Sequence, residues 1–250
     1  LSVNKSFTRY LDYCLNPASD FNGDLFLASE SPTGGMYFLI GDFTGHGLAS
    51  AIGALPVSQA FQTMSMKGLS LMEMAETINQ TLLMLLPDDM FFAAAIVEIN
   101  NTGKQIDVWN GGMPNLLLQD ASGKIMKRLV SRHMSLGILE ANEFESDTER
   151  YEMKFGDRLV AFSDGIVELE NQNKDMLGDD GIENWLSGQP DISVQEIIGK
   201  ATEYLGSMKR KDGITMVIFT GQPFEPMVIN IWHLKFQLNL LFNWMLNTSN

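Results

Sequence analysis

The chain has 250 residues, 45% of them hydrophobic, and a formal net charge of -14, enough apolar material to bury a full core in one large domain. So acidic a surface argues against partners recognised through repeated negative charge, and neither nucleic acid nor an anionic membrane surface is expected. The single cysteine, Cys14, can form no internal disulfide, no charged segment followed by an apolar one opens the chain, and no apolar run is long enough to span a bilayer, so a cytoplasmic location is expected. A first residue of Leu1 rather than Met suggests a piece of a longer protein with something upstream.

In chain order, Asp24 to Ser29 and Met36 to Ile40 are predicted as paired strands, because apolar residues fill both and Ser31 to Gly35 has turn composition. Asp42 would then sit just past a strand end. Leu48 to Met66 favours helix, and Leu71, Met74, Ala75, Ile78, Leu82 and Leu85 recur at three- and four-residue spacing, giving a second helix with one apolar face. The methionines of this stretch are read as core packing. Phe91 to Ile99, Gln105 to Trp109, Asn115 to Gln119, Lys124 to Lys127 and Arg158 to Phe162 read as strands, the first and last apolar enough to be buried on both faces. Asn100 to Gly103 and Asp120 to Gly123 have hairpin composition and imply antiparallel neighbours. Ser193 to Leu205 is a predicted helix with Ser193 as N-cap and Glu196 three residues on, and Thr215 to Phe219 is a last β-branched strand. The fold class is α+β, with two facing, mainly antiparallel sheets flanked by helices. Residues 1–221 are expected to form that domain. Residues 222–250 read as a Pro-containing linker and a strand-like tail, Trp232 to Leu240 alternating apolar and polar, which is the expected start of a further module and a means of dimerisation.

Three motifs place an aspartate beside glycines that let the backbone turn tightly: Gly41-Asp42-Phe43-Thr44-Gly45-His46-Gly47, Phe162-Ser163-Asp164-Gly165 and Asp212-Gly213-Ile214-Thr215. A fourth, Gly23-Asp24-Leu25-Phe26, precedes them. Any one alone reads as a turn. Taken in order, with Asn110-Gly111-Gly112-Met113-Pro114 and the Gly156-Asp157-Arg158-Leu159-Val160 run, they resemble the PPM family of metal-dependent Ser/Thr protein phosphatases, in its bacterial SpoIIE-like or RsbU-like branch, from about Phe21 to Thr220.

That resemblance implies a layered α-β-β-α sandwich with metals at one edge. It implies two divalent cations, Mn2+ or Mg2+, which suit carboxylate and carbonyl oxygens and can activate water for in-line displacement at phosphorus. Asp42 would bridge both ions, the Phe43 carbonyl would bind one, Asp164 and Asp212 the other, and Asp24 would hold metal-bound water or complete the shell. The implied substrate is a phosphoserine or phosphothreonine on a small STAS-type anti-sigma antagonist in a partner-switching pathway, with a receiver or sensor domain upstream. The helix pair Leu48 to Leu86 directly follows the Asp42 loop and is expected to transmit that input.

Departures from the wider family are visible. Where its eukaryotic members carry a histidine two residues past the bridging aspartate, this chain has Thr44, with His46 four past. His133 and His233 stand in no motif and read as structural or surface residues. No upstream arginine is identifiable as a grip for the substrate phosphate, and Arg9 and Arg132 have no motif to support that role. Two other readings compete. One is a pseudophosphatase that binds a phosphoprotein without turnover; the other is a phosphoesterase acting on small molecules or nucleic acid, disfavoured by the acidic charge.

Overall fold

Two sheets lie face to face in a computed structural model that describes residues 2–3, 10–17, 23–44 and 48–224. In chain order the strands are Ser2–Val3 (β1), Leu11–Asn16 (β2), Asp24–Glu30 (β3), Met36–Phe43 (β4), Phe92–Ile99 (β5), Gln105–Gly111 (β6), Leu116–Gln119 (β7), Ile125–Leu129 (β8), Glu149–Glu152 (β9), Arg158–Phe162 (β10) and Ile214–Thr220 (β11). The helices are Leu48–Lys67 (α1), Leu71–Leu85 (α2), Asp164–Val167 (α3), Gly178–Leu186 (α4) and Val194–Leu205 (α5). Among the described residues one sheet runs β1-β3-β4-β5-β6-β9 and the other β2-β11-β10-β7-β8. All pairs are antiparallel except β1 with β3.

Side-chain alternation along each strand sorts apolar residues between two neighbours. In β4, Met36, Phe38 and Ile40 belong to the core between the sheets, while Tyr37 and Leu39 pack with Val57, Phe61, Met74 and Ile78 of α1 and α2. In β10, Leu159 and Ala161 face the inter-sheet core, while Val160 and Phe162 meet Ile182, Leu186, Ile197 and Ile198 of α4 and α5. Helix pair, sheet, sheet and helices therefore form four layers, as expected. The Asn100 and Asp120 hairpins are closed as their composition predicts: Asp120 Oδ1 accepts from the backbone of Ser122 and Lys124, and Gly103 and Gly123 take positive φ. Both α2 and α5 start on a reciprocal capping box, Ser70 with Glu73 and Ser193 with Glu196.

Several elements differ from the sequence reading. Asp42 is not past a strand end: β4 runs through it to Phe43 and is paired on both sides, Asp42 opposite Asp24 and Ala93. Leu85 leaves the buried face of α2 and is 49% exposed, and Asn79 joins that face instead. The strands β2 and β9 and the helices α3 and α4 were not anticipated. The predicted tail, Trp232 to Leu240, lies outside the described residues. No helix among the described residues is long and apolar enough to cross a membrane.

Asn79 shows how the loop after β8 is held. Fully buried on α2, it donates from Nδ2 to the Leu139 carbonyl (2.8 Å) and accepts at Oδ1 from the Gly137 N–H (2.8 Å). An Asn79→Ala substitution strips both backbone groups of their partner, and the expected cost is about 3 kcal/mol, read from urea unfolding. A loss below about 1 kcal/mol would show that this loop is fastened elsewhere.

Candidate active site

The same alternation that fills the inter-sheet core places the acidic residues. Asp42 shares parity with Met36, Phe38 and Ile40, and Asp24 with Phe26 and Ala28, so both stand on the inter-sheet side where β3 and β4 reach the edge of the sandwich. The other sheet brings Asp164, first residue of α3 after β10, and Asp212, two residues before β11. One carboxylate oxygen from each of Asp42, Asp164 and Asp212 lies within 4.8 Å of the others.

Backbone contacts fix these positions. The Ser163 N–H donates to the Thr215 carbonyl (2.8 Å), and Ser163 Oγ accepts from the Thr215 N–H (3.0 Å). Gly165 packs so tightly against the Gly213 carbonyl that a Cβ there would overlap it. Asp164 and Asp212 are thus joined through their immediate neighbours. On the opposite sheet the Phe43 N–H donates to the Gly23 carbonyl (3.2 Å), and a Cβ on Gly23 would stand 2.5 Å from both Asp42 Oδ1 and the Phe43 carbonyl oxygen. Glycine keeps those two oxygens uncovered. Gly165→Ala is expected to cost at least about 2 kcal/mol, because two backbones rather than a pliable side chain must give way. The measurement is a urea midpoint; an unchanged midpoint would mean the two loops are not in fixed contact.

Convergence of acids has an electrostatic cost. Burial, followed by repulsion from Asp24, Asp164 and Asp212, pushes Asp42 up to about 8, against which the Phe43 N–H acts only weakly. Burial, then repulsion from Glu168, Asp212 and Asp24, raises Asp164 to about 6. Asp164 Oδ1 is buried without a hydrogen-bond partner. A buried, unpartnered carboxylate oxygen facing other acids is costly unless a cation neutralises it. The donor set is all oxygen, which suits hard divalent cations and not soft ones. These residues therefore fit a divalent metal.

Thr44 is committed elsewhere. Its backbone N–H and Oγ1 both donate to the Phe91 carbonyl (3.0 and 3.2 Å), and Oγ1 accepts from the Phe91 N–H (2.9 Å), so it fastens the exit of β4 to the start of β5. Gly45, His46, Gly47, Arg9 and His233 lie outside the described residues. Arg132 pairs with Glu149 (3.0 Å). His133 is buried against Trp109, rings stacked at 5.4 Å. In the Asn110 to Pro114 turn Gly112 takes φ +84, and the Asn110 side chain bonds the backbone of Met113 and Pro114.

A four-layered sandwich with aspartates from both sheets meeting at one edge defines the PPM phosphatase fold. Residues 32–221 match the family described as Stage II sporulation protein E (SpoIIE), and the chain belongs to that family, the SpoIIE/RsbU branch of the PPM phosphatases. A curated relative, phosphoserine phosphatase RsbP of Bacillus subtilis (strain 168), is 28% identical over 162 residues, covering 63% of this chain and 40% of that protein. The chain thus spans well under half the length of that relative. The SiaA-PP2C domain of Pseudomonas aeruginosa superposes with a TM-score of 0.71 at 15% identity, over 84% of this chain and 85% of that one. The PP2C phosphatase domain of the cell fate determinant SpoIIE from Bacillus subtilis, solved with a fragment of its regulatory domain, also gives 0.71, at 17% identity over 85% of this chain and 64% of that one. At such identities the two structures speak for the fold alone.

Proposed function

We propose that the chain is a metal-dependent protein phosphatase that hydrolyses phosphoserine or phosphothreonine on a small bacterial regulatory protein of the STAS antagonist type, in a cytoplasmic partner-switching pathway. The observation that carries this reading is the meeting of Asp42, Asp164 and Asp212 oxygens within 4.8 Å of one another. In this reading Asp42, the Phe43 carbonyl, Asp164, Asp212 and Asp24 are the groups that would hold two divalent cations, Mg2+ or Mn2+. When bound, such ions supply Lewis-acid polarisation of phosphoryl oxygen and a nucleophile from water at neutral pH.

The chain's own part is positional. Asp42 holds a proton below about pH 8 in the metal-free state and must release it from its carboxyl to become a ligand, so cation affinity rises with pH. Gly23 leaves the Phe43 carbonyl open, and the Ser163–Thr215 pair keeps Asp164 and Asp212 in a fixed relation. Thr44, with its hydroxyl bonded to Phe91, supplies no proton to a leaving serine. The 1–221 boundary of the catalytic domain, the receiver or sensor domain upstream, transmission through α1 and α2, and a dimer formed through the tail belong to the same proposal.

The test is hydrolysis of a phosphoserine peptide with Mn2+, before and after chelation, alongside a nucleotide monoester as competitor. Turnover of the peptide that chelation abolishes and Mn2+ restores is the expected result. Peptide binding without turnover at saturating Mn2+ would support the pseudophosphatase reading, and preference for the nucleotide the small-molecule one.

A further inference from the structure

The chain carries 31 acidic residues against 17 Lys and Arg, and its only run of three consecutive Lys or Arg residues is Lys209-Arg210-Lys211. That run leads directly into Asp212, in the segment between α5 and β11. Lys209 and Lys211 are both exposed. An acidic protein repels a phosphorylated partner at long range, so the place where positive charge is concentrated governs how such a partner approaches.

The three side chains have different tasks. Arg210 Nη2 donates to Asn16 Oδ1 (3.2 Å) and to the Pro17 carbonyl (2.6 Å), which ties the run to the end of β2. Lys211 Nζ pairs with Glu170 Oε1 (2.6 Å) while its side chain stays 73% exposed. So open an ion pair is worth at most about 1 kcal/mol and yields readily to a competing carboxylate. Among the described residues the Lys209 side chain makes no ion pair and no hydrogen bond.

A small cleft joins the run to the aspartate centre, since Lys209, Lys211, Glu168, Gly165 and Asp212 all line it. Its two glutamates are accounted for. Glu170 is held by Lys211, and Glu168 is among the groups that repel Asp164, so it stands by the centre where cations would offset it. Lys209 and Arg210 have no acidic partner among the described residues. The exposed Met208 lines the same cleft, and the exposed Met176 bridges to Glu170, which sets adaptable apolar surface beside the charge.

We propose that Lys209 and Lys211 form a docking strip for acidic residues that flank the phosphoserine of the protein substrate, and that this strip sets sequence preference. The inference rests on the reading of the aspartate centre as the place where phosphoserine binds. A segment with its phosphate at the aspartates lays its neighbouring residues along the cleft. Acidic side chains there meet Lys209 directly and draw Lys211 from Glu170, whereas basic ones face two like charges.

The experiment is a fluorescence anisotropy titration of the full chain, in saturating Mn2+, with labelled peptides carrying the non-hydrolysable phosphonate analogue of phosphoserine. One peptide is flanked by glutamates and the other by lysines. The glutamate-flanked peptide is expected to bind about tenfold more tightly at low salt, with the gap closing as salt rises. Lys209→Glu, at an exposed position without bonds where folding is not at stake, should remove most of the preference, and adding Lys211→Gln the remainder. In turnover of the matching phosphoserine peptides the loss should appear in KM. Preference for the acidic peptide without turnover of either would overturn the catalytic reading and leave the strip standing. The strip is overturned if the two peptides bind alike, if neither binds, or if a folded Lys209→Glu variant keeps the full preference.

Discussion

Asp42→Asn should lose hydrolysis of a phosphoserine peptide by about a thousandfold or more in excess Mn2+, while the metal-free protein becomes more stable at pH 8. The first effect follows from the proposed role between two cations: Lewis-acid stabilisation is worth several kcal/mol, and each tenfold in rate is about 1.4 kcal/mol. The second follows from electrostatics already present in the fold. Asp42 is buried and repelled by Asp24, Asp164 and Asp212, so its ionised form is a burden that asparagine removes without changing shape. Activity and stability therefore move in opposite directions, which a merely disruptive substitution would not produce. Parent-like turnover of the variant would sink the proposed centre. A variant less stable than the parent in chelator at pH 8 would show that the Asp42 carboxylate is compensated in some other way.

The pH dependence of the metal-free protein is the other large effect. In the folded state burial and neighbouring acids push Asp42 up to about 8 and Asp164 up to about 6, both above the ordinary value of 3.8 for a free aspartate. Between about pH 4 and pH 8 the folded form thus holds more protons than the unfolded one, and stability falls as pH rises through that window. The aspartates' share is on the order of 3 kcal/mol, or roughly 10 °C of thermal midpoint for a chain of this size, after allowance for solvent screening. Thermal melts in chelator at pH 5 and pH 8 measure the slope, and the same melts on Asp42→Asn isolate its origin, since the variant should lose most of it. Saturating Mn2+ should flatten or invert the slope, because cations bind the deprotonated carboxylates of the folded form only. An identical slope in parent and variant would remove Asp42 as its source.

The sandwich was legible because its central strands are almost uniformly apolar and its hairpins carry Asn, Asp and Gly where the turns require them. β4, β5, β10 and β11 were each placed to within a few residues, and the capping box at Ser193 located the start of α5. The peripheral elements were not legible, for physical reasons. β9 is Glu-Arg-Tyr-Glu, with no apolar alternation; it exists because β6 offers it a partner edge and because Arg150 reaches Asp107 (2.7 Å) across the pair. The start of α4, Gly-Asp-Asp-Gly, has the composition of a turn, and only Ile182 and Leu186 reaching the sheet-facing core make it a helix. The Gly41-Asp42 pair suggested a strand end for the same reason, whereas pairing on both flanks carries β4 through it. The candidate aspartates themselves were visible through the glycines beside them.

Asp164 and Asp212 are locked to each other by the Ser163–Thr215 bonds and the Gly165–Gly213 contact, and Asp24 and Asp42 by strand pairing. Each couple belongs to a different sheet, and side-chain packing in the middle of the sandwich, helped by the Phe224 N–H bond to the Asn101 carbonyl (3.1 Å), relates one couple to the other. Small slippage of one layer across its neighbour would leave both couples intact and alter only the gap between them. Cation affinity would then act as a gauge of interlayer alignment, and a cavity opened at Phe38 or Val217, both buried in the inter-sheet core, would register there.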